Sequence, residues 1–133
     1  MPIDATDVGR EGVIELVVTP ELTADRYGNP GLMVLATPAL VELIERAAVQ
    51  ALEERLAPGE RTVGTEVDIA HRAATPIGEQ VRVVARVAAV EAGHVWFEVA
   101  AHDAHEPIAD GRHGRFLVDE ARFLRRLERK RPA

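Results

Sequence analysis

The sequence contains no cysteine and no serine. The lack of cysteine excludes disulfides, thiolate metal sites and a cysteine nucleophile, and the lack of serine excludes a Gly-x-Ser-x-Gly nucleophile elbow. The chain does not begin with a basic and apolar leader, and no apolar run approaches the ~18–20 residues that span a membrane. These absences predict a soluble cytoplasmic protein that does not bind a membrane.

Charge is unevenly distributed along the chain. The 16 basic and 22 acidic residues give a formal charge of −6, which argues against nucleic acid as a partner. Residues 119–133 hold six of the cations and three of the acidic residues, so this tail is near +3 and the rest near −9. A basic tail is typical of a solvated helix face, and it can also attract the phosphates of a ligand.

Periodicity and turn signals divide the chain into strands, a lid and two helices. The one long helix is predicted over Thr37–Leu56, with Thr37 as its cap and Pro38 in its first position. The other predicted elements are a strand at Val13–Thr19, a lid loop at 21–35, strands at 62–73, 79–90, 94–102 and 108–118, and a short helix at 120–130 within the basic tail 119–133.

The order of these elements predicts the fold. Four consecutive antiparallel strands after one long helix can wrap a sheet round that helix. We therefore predict a single α+β domain over residues 1–133 with the hotdog fold, an antiparallel five-stranded sheet wrapped around one long central helix. A curved sheet of this kind leaves edge strands that need covering, so we expect a homodimer or a dimer of dimers.

Two polar residues lie where apolar residues are expected. On a helical wheel Glu45 falls at the edge of the apolar arc of the long helix, where a carboxylate suits a general base or nucleophile. Alternation along the strand after the helix places Val63, Thr65 and His71 together on its inward face. The alternatives are a boundary glutamate that reaches water and a hydrogen-bonded core histidine, and the pattern alone leaves both open.

The remaining histidines are less informative. His94 is expected at a turn. His102, Asp103, His105 and Glu106 superficially resemble a metal cluster, but their spacing matches no strong metal motif, and a polar turn explains them. We therefore expect no metal site, and no motif indicates a cofactor.

Several short motifs occur in a characteristic order along about residues 12–130. They are Ala36-Thr37, Glu45 eight residues later, Pro58-Gly59-Glu60, Val63-Gly64-Thr65, the run from His71 to Gly78, His102-Asp103, and Gly111-Arg112-His113-Gly114-Arg115. In residue type and spacing this set resembles the fluoroacetyl-CoA thioesterase family of hotdog proteins. Each motif is weak alone, whereas the ordered set is fairly specific.

The resemblance implies an acyl-CoA thioesterase, which hydrolyses an acyl-CoA to the free acid and coenzyme A. It implies a catalytic set of Thr37, Glu45 and His71, and it implies that the backbone N–H of Gly64 binds the thioester oxygen. Arg115 matches a functional arginine of the family, and we expect it to bind the phosphates of the substrate near the mouth of the site. The resemblance also implies a dimer with its active sites at the subunit interface.

The lid departs from the family pattern. Members specific for fluoroacetyl-CoA carry phenylalanines in the lid, at positions that are Gly28 and Gly31 here. Tyr27 is the only aromatic residue of this lid. We therefore do not expect specificity for fluoroacetyl-CoA.

Two other functions fit the same fold. A hotdog enoyl-CoA hydratase uses an Asp and a His five residues apart on one loop, whereas Asp68 and His71 are three apart and on opposite faces of a strand. A non-catalytic acyl-CoA-binding hotdog protein would be expected to lack Glu45 or His71, and both are present.

Overall fold

The structure, a computed structural model, describes residues 2–132. Its strands are β1 Glu11–Val17, β2 Glu60–His71, β3 Gln80–Glu91, β4 His94–Asp103 and β5 Pro107–Asp119, and its helices are α1 Thr37–Leu52 and α2 Glu120–Leu127. The five strands form one antiparallel sheet in the order β1-β3-β4-β5-β2. Because α1 packs on the inner face of this sheet, the predicted hotdog arrangement is confirmed.

Helix α1 lies close to the sheet because its inward side is built from aliphatic and small residues. The buried side chains are Ala39, Leu40, Leu43, Ile44, Ala47, Ala48, Ala51 and Leu52. At Gly12 of β1, an added Cβ would overlap the backbone carbonyl of Ala47. Glycine on the strand and alanine on the helix thus allow close contact, which places the polar side chains of α1 near the sheet.

The ends of α1 differ from the sequence-based expectation. The helix ends at Leu52 and is followed by a 3-10 turn, Glu53–Arg55, where a continuous helix to Leu56 was predicted. It begins at Thr37, as expected, but Ala36 is the N-cap and no side chain of residues 2–132 caps the helix. The predicted capping role of Thr37 was therefore wrong, because its hydroxyl is engaged by a residue distant in sequence.

A β-bulge in β2 changes which residues face inward. The pairing with β5 shifts between Gly64 and Glu66, which leaves Thr65 as the extra residue. Before the bulge Gly64 lies opposite the inward Arg115, and after it Val67 lies opposite the buried His113. Because a bulge adds one residue to the strand, the inward and outward faces exchange between odd- and even-numbered positions on one side of it.

The bulge corrects one part of the predicted strand pattern and preserves another. Simple alternation predicted that Val63 and Thr65 share the inward face with His71, and the structure shows that they do not. Thr65 instead contacts the outward His94, with 3.0 Å between its Oγ1 and Nε2 of the ring. The inward placement of His71 is unchanged, because that residue lies beyond the bulge and in phase with Val67.

The segment predicted as a lid is tied to the body of the protein at its base. The backbone N–H of Leu35 donates to the carbonyl of Thr75 at 2.8 Å, and that of Ala24 donates to Val34 at 2.9 Å. Two 3-10 turns, Pro20–Leu22 and Ala24–Tyr27, shape the segment. Its tip, residues 28–31, is exposed.

Helix α2 is shorter than predicted and stands apart from the core. It ends at Leu127, and residues 128–130 continue as a 3-10 turn. Its apolar side chains remain exposed, at 37 % for Phe123, 52 % for Leu124 and 44 % for Leu127. Within residues 2–132, no helix is long and apolar enough to cross a membrane.

Candidate active site

Thr37 and His71 form one part of the candidate site. Thr37 begins α1 and His71 ends β2, and the fold brings these two ends together. The Oγ1 atom of Thr37 is 2.7 Å from Nδ1 of His71. A hydroxyl hydrogen-bonded to an imidazole can orient the ring and assist proton transfer near neutral pH.

The ring of His71 is held in a state suited to proton transfer. Its Nε2 atom is buried and has no hydrogen-bond partner among residues 2–132. Burial lowers the pKa of His71, and a backbone contact with Ala73 opposes part of that shift. The imidazole is therefore neutral at physiological pH, and its Nε2 atom is enclosed in the protein without a partner among the described residues.

A cavity of about 500 Å³ opens beside Thr37 and His71. The lid, the start of α1 and the residues after β2 form its walls. Its lining residues are Ala24, Tyr27, Asn29, Val34, Leu35, Ala36, Thr37, Pro38, His71, Arg72, Ala73 and Ala74. A largely apolar wall with a few polar groups at one place is typical of a small-molecule site.

Glu45 forms a second group of polar residues with Gly64 and Arg115. The Glu45 side chain is 42 % exposed, so it lies at the edge of the apolar arc, as the helical wheel predicts. Its Oε2 atom is 3.3 Å from Nη1 of Arg115. An added Cβ on Gly64 would come within 2.5 Å of the same oxygen. Glycine therefore leaves the room that the carboxylate occupies.

Arg115 is buried, in contrast to the expected position at the mouth of the site. The residue is 6 % exposed. Its Nε donates to the Thr62 hydroxyl and its Nη2 donates to the Thr62 carbonyl, each at 2.9 Å. Burial lowers the pKa of Arg115, while the carboxylate of Glu45 opposes that shift. This geometry favours a guanidinium that holds Glu45 over one that contacts coenzyme A phosphates.

His113 and Thr62 were not singled out from the sequence, although both contact Arg115. His113 is fully buried, and its Nε2 lies 3.2 Å from Nη1 of Arg115. Its position two residues before Arg115 on one strand does indicate a shared face, because side chains alternate. Thr62 has no comparable signal, since its role depends on the pairing of β2 with β5.

The two polar groups are separate within one chain. Thr37 and Glu45 are eight residues apart on α1, or about 12 Å along the helix axis. A cavity of about 470 Å³ beside Glu45 is lined by Glu42, Glu45, Arg46, Val49, Gln50, Glu53 and Arg115. It shares no lining residue with the cavity beside His71. The predicted set of Thr37, Glu45 and His71 thus does not converge in a single protomer.

The polar residues after β4 build a turn, as the sequence suggests. The Asp103 carboxylate accepts hydrogen bonds from the backbone N–H groups of His105 and Glu106 at 2.8 and 3.0 Å. It also accepts one from the Thr75 hydroxyl at 2.8 Å. These hydrogen bonds give the Asp103 carboxylate a structural role in the turn.

Similarity to known proteins covers most of the chain. Residues 18–121 match the model of the fluoroacetyl-CoA-specific thioesterase family. The fluoroacetyl-CoA thioesterase of Streptantibioticus cattleyicolor is 38 % identical over 100 residues, which are 75 % of this chain and 72 % of that protein.

Solved structures extend the similarity to almost the whole chain. A threonine-to-serine variant of a fluoroacetyl-CoA thioesterase, in complex with acetyl-CoA, superposes with a TM-score of 0.87 at 33 % identity, over 94 % of this chain and 98 % of that one. A hot-dog-like protein from Thermanaerovibrio acidaminovorans gives a TM-score of 0.88 at 24 % identity, over 95 % and 93 % of the two chains. At that identity the second similarity concerns the fold alone.

Proposed function

Because the chain belongs to the fluoroacetyl-CoA-specific thioesterase family, we propose that it hydrolyses acyl-CoA thioesters to the free acid and coenzyme A. The single observation that carries this proposal is the 2.7 Å hydrogen bond between Thr37 and His71 at the wall of a cavity of about 500 Å³. A cavity of this size is within the range of small-molecule sites.

The residues supply the groups that thioester hydrolysis needs. Water or a carboxylate must attack the carbonyl carbon, the developing oxyanion needs a donor, and the departing thiolate takes up a proton. Glu45 is the attacking carboxylate or the base that takes a proton from water. The backbone N–H of Gly64 is the oxyanion donor. His71, oriented by Thr37, steers the water, or it takes up a proton from the attacking water and passes that proton to the departing thiolate.

We propose that the working unit is a homodimer in which each site combines residues from both chains. The separation of Glu45 from His71 within one protomer supports this arrangement, because one site then needs a second copy. The exposed edge of the sheet supports it as well. Strand β2 is twelve residues long and, within the described part of the chain, pairs only with β5. A long unpaired edge is commonly covered by another strand.

Antiparallel pairing of β2 with β2 of a second copy would complete the site. Gly64 and His71 are seven residues apart on this strand, or about 23 Å. In a two-fold pair, if residue i faces residue j, then j also faces i. Pairing centred between Gly64 and His71 therefore brings Gly64 and Glu45 of one copy to Thr37 and His71 of the other, on both sides of the axis.

We propose an acyl preference different from that of the fluoroacetyl-CoA-specific members. Gly28 and Gly31 stand at the lid positions of the family phenylalanines, and an added Cβ at either glycine would meet no atom of the described residues within 4 Å. Tyr27, Ala73 and Ala74 line the cavity near the lid. The small side chains of Ala73 and Ala74 and the open tip of the lid leave room for acyl groups larger than acetyl.

A thiol-release assay with short, medium, branched and aryl acyl-CoAs tests the proposed activity. We expect turnover of at least one substrate, with fluoroacetyl-CoA not preferred over acetyl-CoA. Rates equal to uncatalysed hydrolysis across the panel, together with measurable binding of an acyl-CoA, would instead identify a non-catalytic binding protein.

Mixed dimers test the composite site. Glu45→Gln and His71→Ala are each expected to retain only ~1 % or less of wild-type activity as homodimers. If Glu45 of one copy serves His71 of the other, random heterodimers carry one intact site, and co-refolding equal amounts restores about one quarter of wild-type activity. Failure of the mixture to regain activity, with heterodimers present by native mass spectrometry, would place the whole site within one chain.

A further inference from the structure

His113 is a buried histidine that the proposed chemistry does not use directly. Its ring is fully buried on the inner face of β5. On one side it stacks on Phe97 of β4, with 6.0 Å between the ring centroids. On the other side lie Arg115 and, beyond it, the carboxylate of Glu45. The His113 ring therefore does not contact Glu45, the candidate base, directly, but contacts Arg115, which in turn contacts Glu45.

The hydrogen bonds of His113 determine its tautomer. Its Nδ1 is 2.8 Å from the backbone carbonyl oxygen of Glu66, next to the bulge in β2. A carbonyl oxygen only accepts hydrogen bonds, so Nδ1 carries the proton. In the neutral ring, Nε2 then has a lone pair, and it accepts a hydrogen bond from Nη1 of Arg115 at 3.2 Å.

The guanidinium of Arg115 is held along two edges. Thr62 accepts from Nε and Nη2, and Nη1 is shared between Nε2 of His113 and Oε2 of Glu45. Among residues 2–132, the Glu45 side chain forms its hydrogen bond with Arg115. The position of one nitrogen atom, Nη1, thus fixes the carboxylate oxygen that is to act on the thioester.

We infer that His113 is a positioning residue for thioester hydrolysis: its Nε2 lone pair holds Nη1 of Arg115 where that atom orients the carboxylate of Glu45. This inference rests on the proposed function. The proposed hydrogen-bond network runs inward from Glu45 to Arg115 and then to His113. Its last member is the backbone carbonyl of Glu66, next to the bulge in β2.

The charges around the ring agree with a neutral His113. Burial lowers its pKa, the Glu66 carbonyl opposes that shift, Arg115 on β5 lowers the pKa further, and Glu45 on α1 opposes it. The facing residue on β4, Phe97, carries no charge. Protonation at Nε2 would place an N–H against the N–H of Arg115 and release the guanidinium from its position.

Two amide substitutions separate the contacts of the ring. In His113→Gln the side-chain amide reaches the place of Nε2 and can accept from Arg115. In His113→Asn the shorter amide reaches the place of Nδ1 and can donate to Glu66 only. Both remove the stacking on Phe97, so thermal unfolding of both variants provides the matched control for a loss of packing.

We expect His113→Asn to lower kcat by ~10-fold or more with little change in KM, because small misplacement of a reacting group has large effects on rate. His113→Gln should recover most of that loss. In a Glu45→Gln background, neither substitution should lower kcat further, because residues that act through one another are not additive. Equal kcat values for the two variants at equal stability would overturn the inference.

Nitrogen NMR of the unsubstituted protein tests the same inference without any substitution. We expect the ring of His113 to be neutral and protonated at Nδ1 at physiological pH. A ring protonated at Nε2 would overturn the inference even if the enzyme is active. Absence of thioesterase activity in the unsubstituted protein would instead overturn the proposed function, and with it this inference. Failure of the inference alone is recognised by an active enzyme whose His113 ring is protonated at Nε2.

Discussion

Gly64 and Glu45 are in contact across the space between β2 and α1, since an added Cβ on Gly64 would lie 2.5 Å from Oε2 of Glu45. The backbone of Gly64 does not need glycine for its conformation, because its φ lies outside the left-handed region. The requirement is the space that the carboxylate fills. The absence of a side chain at position 64 is therefore part of the site.

Gly64→Ala should displace the carboxylate of Glu45 with little effect on the strand. We expect kcat to fall by ~10²-fold, because a misplacement of about 1 Å at a reacting group has an effect of that size. Steady-state kinetics and circular dichroism measure the two properties. The control is Thr65→Ala, one residue along the strand, whose side chain lies on the other face. Comparable losses in both variants would mean that strand integrity, and not the contact with Glu45, determines the rate.

Glu45→Gln should lower kcat by at least ~10²-fold, because the amide keeps the shape and removes the base or nucleophile. Binding of a non-hydrolysable acyl-CoA analogue, measured by calorimetry, should change little. Glu54→Gln is the matched control, in the 3-10 turn that follows the same helix, where the side chain is 89 % exposed and lines neither cavity. Near-wild-type turnover by Glu45→Gln would make Glu45 a boundary residue of the helix.

Arg115→Lys should affect catalysis and not the recognition of phosphate. Lysine cannot reproduce the forked contacts to Thr62, so Glu45 loses its fixed partner. We expect kcat to fall ~10-fold or more, equally for an acyl-CoA and for the matching N-acetylcysteamine thioester, which lacks the phosphates. A rise in KM confined to the acyl-CoA, and weakened by salt, would restore the phosphate contact expected from sequence.

Stability should fall as the pH drops below the ordinary histidine range. Burial lowers the pKa of both His71 and His113 from 6.5. The unfolded rings therefore bind protons at a higher pH than the folded rings do, and the free energy of unfolding decreases as pH falls from about 6.5 toward the lowered values.

Urea unfolding between about pH 5 and 8 measures this dependence. We expect His113→Gln to reduce the slope of unfolding free energy against pH in that window, because one of the two shifted groups is gone. The exposed His105 provides the control, since His105→Gln removes a histidine whose side chain is 68 % exposed. An identical effect of the two substitutions would contradict the assignment of the slope to buried rings.

Much of the fold follows from local pattern. The apolar periodicity of α1, the alternation in β3 and β4, and the glycine and proline residues at the turns each depend on side chains a few positions apart. The resemblance to the thioesterase family, confirmed by the match over residues 18–121, depends likewise on residue types and their spacing. Such features are visible without knowing which strands are neighbours.

Contacts between distant segments determined the rest. The Thr37 hydroxyl bonds to His71 in place of capping its helix, because the end of β2 lies beside the start of α1. The bulge at Thr65 reversed part of the predicted alternation, because strand register is a property of the pair. The burial of Arg115 depends on Thr62 across the sheet. The sequence by itself determined the helices, the strands and the identity of the polar residues. Only the tertiary structure decided which of those residues meet, because hydrogen-bond partners and burial depend on segments far apart in the chain.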